Sequence, residues 1–86
     1  VPAEHILIVD DEEAIREVVS TLLESQGYSC TPAANGRIAV EHLKSNSPDL
    51  VLSDMVMPEM DGLKLLEWTR GHDKDIPVIM VTAMHD

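Results

Sequence analysis

Three short apolar runs set the limits on what this chain can become: Ile6-Leu7-Ile8-Val9, Leu50-Val51-Leu52 and Val78-Ile79-Met80-Val81. Each is continuous rather than alternating, which is the pattern of strands buried on both faces beneath covering helices. A fourth run, Tyr28-Ser29-Cys30-Thr31, is more polar and is followed by Pro32. Proline has no N–H to give to a ladder, so this strand belongs at a sheet edge. Between the runs the period becomes helical. Over residues 12–26, Ile15, Val18, Val19, Leu22 and Leu23 make one stripe, opened by Asp11-Glu12-Glu13 at the positive end of the dipole and stopped by Gly27. Residues 37–45, around Ile38, Val40 and Leu43, and residues 62–70, with Leu65, Leu66 and Trp68, give two more helices, the last ended by Gly71. The order β-α-β-α-β-α-β predicts an α/β doubly wound parallel sheet. Right-handed crossovers with the polar strand at an edge give the strand order 2-1-3-4, with the first helix on one face and the other two opposite.

Length and charge narrow the function. Residues 1–86 suffice for one small domain. Six basic against sixteen acidic residues leave a formal charge of −10, which argues against binding nucleic acid or an anionic membrane through a basic surface. A hydrophobic share of 44% places that charge on a folded body rather than a disordered acidic tail. The single cysteine, Cys30, excludes an internal disulfide framework, and no low-pKa partner for it is visible. The four histidines are scattered, no run is long enough to span a membrane, and no signal peptide opens the chain, so the cytoplasm is the expected compartment. The fourth strand reads as a central one, yet the chain stops at Asp86 soon after it, as expected of a domain cut short. An uncovered apolar strand is a template for pairing, so a homodimer or swapped assembly through residues 76–84 is expected.

The chemistry sits where such sheets place it, outside the carboxyl ends of the strands where strand order reverses. The first strand ends in Asp10-Asp11 and the third in Asp54, so three carboxylates converge from neighbouring strands. Taken singly, Asp10 and Asp11 could cap a helix, Asp54 could open a turn and Thr82 could end a strand. Together on one rim they form a like-charge cluster that needs a raised pKa or a cation. Oxygen ligands alone select a hard ion, Mg²⁺ before Mn²⁺ or Ca²⁺, and Mg²⁺ prefers a phosphate oxygen among its ligands. A carboxylate can itself accept a phosphoryl group, and Asp54 is the best placed to do so. The Thr82 hydroxyl can donate to a phosphoryl oxygen, and the small Ala83 keeps the entrance open.

Four segments carry a family resemblance: Ile6-Leu7-Ile8-Val9-Asp10-Asp11-Glu12; Ala34-Asn35-Gly36 with Ala39; Asp49-Leu50-Val51-Leu52-Ser53-Asp54-Met55-Val56-Met57-Pro58-Glu59-Met60-Asp61-Gly62; and Ile76-Pro77-Val78-Ile79-Met80-Val81-Thr82-Ala83. Through essentially its whole length the chain resembles the receiver domain of bacterial two-component response regulators, a flavodoxin-like fold. The resemblance implies that Asp54 takes a phosphoryl group from a histidine kinase or phosphotransfer protein. It implies that Asp10 and Asp11 hold Mg²⁺, Asp11 more directly, with the backbone carbonyl of Val56 as a further ligand. Thr82 corresponds to the switch hydroxyl, and Val56 and Met84 to positions that tune phosphoryl lifetime. Pro58 and Gly62 shape the loop into the third helix. The family also has a fourth helix, a fifth strand bearing a lysine and an aromatic switch residue, and a fifth helix; these positions have no counterpart here. Lys44, Lys64 and Lys74 fall in or beside helices.

The resulting expectation is a signalling module that is not an enzyme beyond its own phosphorylation, coupled to an output domain in a longer parent chain. One rival is a pseudo-receiver, an interaction module that is never phosphorylated because the lysine is absent. A phosphatase of the haloacid dehalogenase type also places an aspartate after its first strand. It wants a second aspartate two positions on, where Glu12 stands, and it leaves Asp54 unexplained.

Overall fold

The computed structural model describes residues 4–57, 60–73 and 75–81. Strands β1 (His5–Val9), β2 (Ser29–Ala33), β3 (Leu50–Asp54) and β4 (Val78–Val81) alternate with helices α1 (Glu13–Ser25), α2 (Gly36–Ser45) and α3 (Gly62–His72). Every pairing is parallel and the order is β2-β1-β3-β4, as the sequence predicts.

Register sorts the side chains between two faces. Ile6 pairs with Leu50, Ile8 with Leu52, and Leu52 with Ile79, so these share one face, while Leu7, Val9, Val51 and Val78 point to the other. The second face carries the main core. There Leu7, Val9, Ala33 and Val51 pack against Ala39, Val40 and Leu43 of α2 and Leu65 of α3, with Val78 and Trp68 at the margin. Helix α1 lies opposite, over β1 and β2, and Ile6 and Ile8 are buried beneath it. Asn35 and Asp61 start α2 and α3 by accepting hydrogen bonds from the Ile38 and Lys64 amides, at 2.8 and 2.9 Å.

Several expectations are corrected. No residue of α1 is buried; Val19 and Leu23 are half-covered, whereas Ile15, Val18 and Leu22 are 43%, 57% and 62% exposed. The helix sits over β1 and β2, so the side of its stripe turned from them gains no cover among the described residues. Strand β4 closes the order β2-β1-β3-β4, as the expected order 2-1-3-4 has it, and Ile79 and Val81 on the α1 face are about half exposed. Helix α3 runs through Gly71 to His72, because Gly71 stays helical and Asp73 carries the chain out. Gly27, by contrast, adopts φ +96°, a left-handed turn that ends α1 without strain. Strand β2 includes Pro32 opposite Ile8, which its edge position tolerates.

Gly62 fixes how closely α3 approaches the end of β3. A Cβ there would lie 2.5 Å from the Asp54 carbonyl oxygen and 2.9 Å from the Met80 sulfur. At Gly71 an added Cβ meets nothing within 4 Å. Gly62→Ala is therefore expected to cost about 1–3 kcal/mol in urea unfolding. Gly71→Ala should be neutral or stabilising by up to about 1 kcal/mol, because alanine is the better helix former. Similar losses at both positions would contradict the close approach.

Candidate functional site

The site follows from where two strands stop. Val9 ends β1 opposite Ser53, so the next residue, Asp10, comes level with Asp54, the last residue of β3. The Asp10 amide extends the ladder one step, donating to the Ala33 carbonyl at 3.1 Å. Carboxylate oxygens of Asp10, Asp11 and Asp54 all lie within 4.8 Å of one another, with Asp10 and Asp54 half-buried and Asp11 exposed. At such separations each like-charge pair repels by ~1 kcal/mol in water and ~3–4 kcal/mol at an effective dielectric near 20. Asp10 registers this: its pKa is raised above the ordinary 3.8, chiefly because burial disfavours the charge. A hydrogen bond from the Glu12 amide, at 2.8 Å, pulls the other way, and the charges of Asp54, Asp11 and Glu12 add to the rise.

The surrounding backbone holds the cluster in place. The Gly62 amide donates to the Met55 carbonyl at 3.0 Å and the Met55 amide to the Val81 carbonyl at 3.3 Å, which ties the β3–α3 loop to β4. The Val56 amide donates to Asp54 Oδ1 at 3.4 Å, while the Val56 side chain is 75% exposed. Met57 is buried and Met60 packs against the core, so these methionines fill space rather than offer a binding patch. Three oxygen donors of one sign, two of them on half-buried carboxylates, suit a hard divalent cation.

The cluster expected from the sequence is thus brought together at Asp10, Asp11 and Asp54, with Val56 beside it. Pro58, Thr82, Ala83 and Met84 lie outside the described residues. Lys44 and Lys64 are exposed on α2 and α3, and Lys44 pairs with Glu41 at 3.6 Å. Cys30 has its thiol pKa raised by burial and by the Glu24 charge, as befits an unreactive thiol. One contact was not foreseen: Arg16 Nη1 donates to the Asp10 carbonyl oxygen at 2.7 Å. The sequence signal for it is slight, a single cation in the acidic first turns of α1.

Comparison with known proteins gives this rim a family. The family model for the response regulator receiver domain matches residues 6–86. The chain belongs to that family. This receiver domain is 47% identical to the regulatory protein AtoC of Escherichia coli over 79 residues, which are 92% of the chain and 17% of AtoC. It is 42% identical over 80 residues to sporulation initiation phosphotransferase F of Bacillus subtilis, covering 93% of the chain and 64% of that protein. The chain therefore spans less than two thirds of either relative. Among solved structures, the Thermotoga maritima response regulator TrrA, in complex with Mg²⁺-BeF, superposes with a TM-score of 0.90 at 38% identity, over 94% of this chain and 70% of that one. The Vibrio cholerae chemotaxis protein CheY4 superposes with a TM-score of 0.90 at 31% identity, over 98% and 72%. The fold is the flavodoxin-like one, and receiver domains are signalling modules rather than conventional enzymes. No helix among the described residues is long and apolar enough to cross a membrane.

The raised pKa of Asp10 has a testable sign. The folded state holds that proton more tightly than the unfolded chain, so the stabilisation is complete below pH 3.8 and is lost as pH rises through the folded-state value. At pH 7 the ionised Asp10 is a cost to the metal-free fold. Asp10→Asn keeps an oxygen to accept from Glu12 and removes the charge. In EDTA at pH 7 this variant should melt above wild type, with the gap narrowing as pH falls towards 4; a lower melting point would contradict the reading.

Proposed function

We propose that this receiver domain accepts a phosphoryl group on Asp54 from a phosphohistidine of a sensor kinase or phosphotransfer protein. Its acidic rim would hold Mg²⁺. The observation that carries the proposal is the convergence of the three carboxylates within 4.8 Å at the carboxyl ends of β1 and β3.

In the transfer, an Asp54 carboxylate oxygen attacks phosphorus as the bond from phosphorus to the donor imidazole breaks, and the departing ring nitrogen takes up a proton from solvent. The Asp54 oxygen that accepts from the Val56 amide is oriented by that bond, which leaves the other oxygen for attack. In this reading Asp10 and Asp11, with the Val56 carbonyl, would be the other groups to hold the ion. Bound there, Mg²⁺ would offset the cluster's repulsion and the charge that builds on the phosphoryl oxygens. Exposed Asp11 suits contact with a hydrated ion, and half-buried Asp10 suits orienting the site. The roles proposed for Thr82 as switch hydroxyl, Ala83 at the entrance, and Val56 and Met84 in setting phosphoryl lifetime complete the reading. An output domain or partner protein would receive the signal.

The support is combined: rim geometry, membership of a family that includes a phosphotransferase of sporulation initiation, and fold likeness to a regulator solved with Mg²⁺-BeF. Incubation with MgCl₂ and acetyl phosphate should add one phosphate by intact mass, and the adduct should vanish in Asp54→Asn or in EDTA. Absence of the adduct, under conditions that label another receiver domain, would favour the pseudo-receiver reading. An adduct that survives Asp54→Asn would move the acceptor elsewhere.

A further inference from the structure

Where β1 gives way to α1, the main chain must turn while presenting two adjacent carboxylates to Asp54. The Asp10 amide is still in the ladder with Ala33, but its carbonyl lies past the last strand pair and before the first helical turn. Such a group has no partner in either element and must find one elsewhere. Arg16, the fourth residue of α1, supplies it: the half-buried guanidinium reaches back to that oxygen at 2.7 Å. A charge-assisted bond of this length fixes the Asp10–Asp11 peptide. Two further bonds close the same loop, the Glu12 amide to Asp10 Oδ1 at 2.8 Å and the Arg16 amide to the Glu12 carbonyl at 3.1 Å.

We propose that Arg16 is a positioning residue of the cation site, holding the Asp10 carbonyl so that the Asp10 and Asp11 carboxylates are set for the ion before it arrives. The inference rests on the Mg²⁺ reading above. It does not make Arg16 a ligand, since its bond is to main-chain oxygen. Groups that orient metal ligands are typically worth ~10–100-fold in affinity.

Two effects of removing Arg16 have opposite signs, which makes the inference sharp. Loss of a nearby positive charge, taken alone, leaves the rim more negative and tightens Mg²⁺ binding. Loss of the positioning bond weakens it. The proposal holds that the second effect wins, so that Arg16→Met weakens Mg²⁺ binding about tenfold. Arg16→Lys, which keeps a cationic donor able to reach the carbonyl, should recover most of that loss.

The test is calorimetric titration of the folded 86-residue chain with MgCl₂ at pH 7, alongside melting points. Val40→Ala, on the core-facing side of α2, serves as a variant that loses stability away from the rim. The expected result is weaker binding in Arg16→Met, restoration in Arg16→Lys and unchanged affinity in Val40→Ala. Unchanged or tighter binding in Arg16→Met overturns the inference, as does a loss no greater than that of Val40→Ala or one that lysine fails to restore. Should Arg16→Met not fold, NMR of the wild type in EDTA decides: the Arg16 guanidinium must already be rotationally restricted and slow to exchange with solvent before Mg²⁺ is added, and a freely rotating guanidinium in the metal-free protein overturns the proposal. Wild-type protein that binds no Mg²⁺, or binds it equally well as Asp11→Asn, would instead refute the underlying reading of the rim.

Discussion

Mutual repulsion of three carboxylates on one sheet rim is the constraint on which the rest depends. Asp10, Asp11 and Asp54 are held together by the ends of β1 and β3, and neither strand can retreat without breaking a ladder that also carries the core residues Leu7, Val9 and Val51. The fold therefore imposes a local cost that burial of Asp10 enlarges. A divalent cation can turn this cost into binding energy, because charges already gathered need not be brought together on binding.

The surrounding architecture answers the demands of that rim. Close approach of α3 through Gly62 brings the β3–α3 loop against the Asp54 backbone, and the Val56 amide restrains one Asp54 oxygen. On the other side, Glu12 and Arg16 tie down the turn from β1 into α1. Core packing on the α2–α3 face keeps β1 and β3 in register, which sets the separation of their terminal carboxylates. Stability and chemistry thus share the same two central strands.

Much of this was legible in the residues. Continuous apolar runs marked β1, β3 and β4, and the polar run with Pro32 marked the edge strand. From these alone the placement rule for parallel sheets put Asp10, Asp11 and Asp54 on one crevice. Such features are readable because they depend on backbone topology and local periodicity. Other features depend on what lies beside an element in space. The stripe on α1 has helical period, yet Ile15, Val18 and Leu22 stay exposed because, among the described residues, α1 packs chiefly over β2 and β1. Gly71 resembles a helix stop in sequence, but nothing around it demands a left-handed turn. The Arg16 bond to Asp10 is invisible to periodicity, since it links a helix residue to a carbonyl that belongs to neither helix nor ladder.

The account stands on the rim being a cation site whose acceptor is Asp54, and a crystal structure grown with Mg²⁺ and beryllofluoride examines that most directly. The expected result is one Mg²⁺ within ~2.0–2.1 Å of carboxylate oxygens from Asp11 and Asp54, in near-octahedral coordination completed by water and a fluoride, with the beryllium bonded to Asp54. An ion bound away from these carboxylates, or beryllofluoride on another residue, would contradict it.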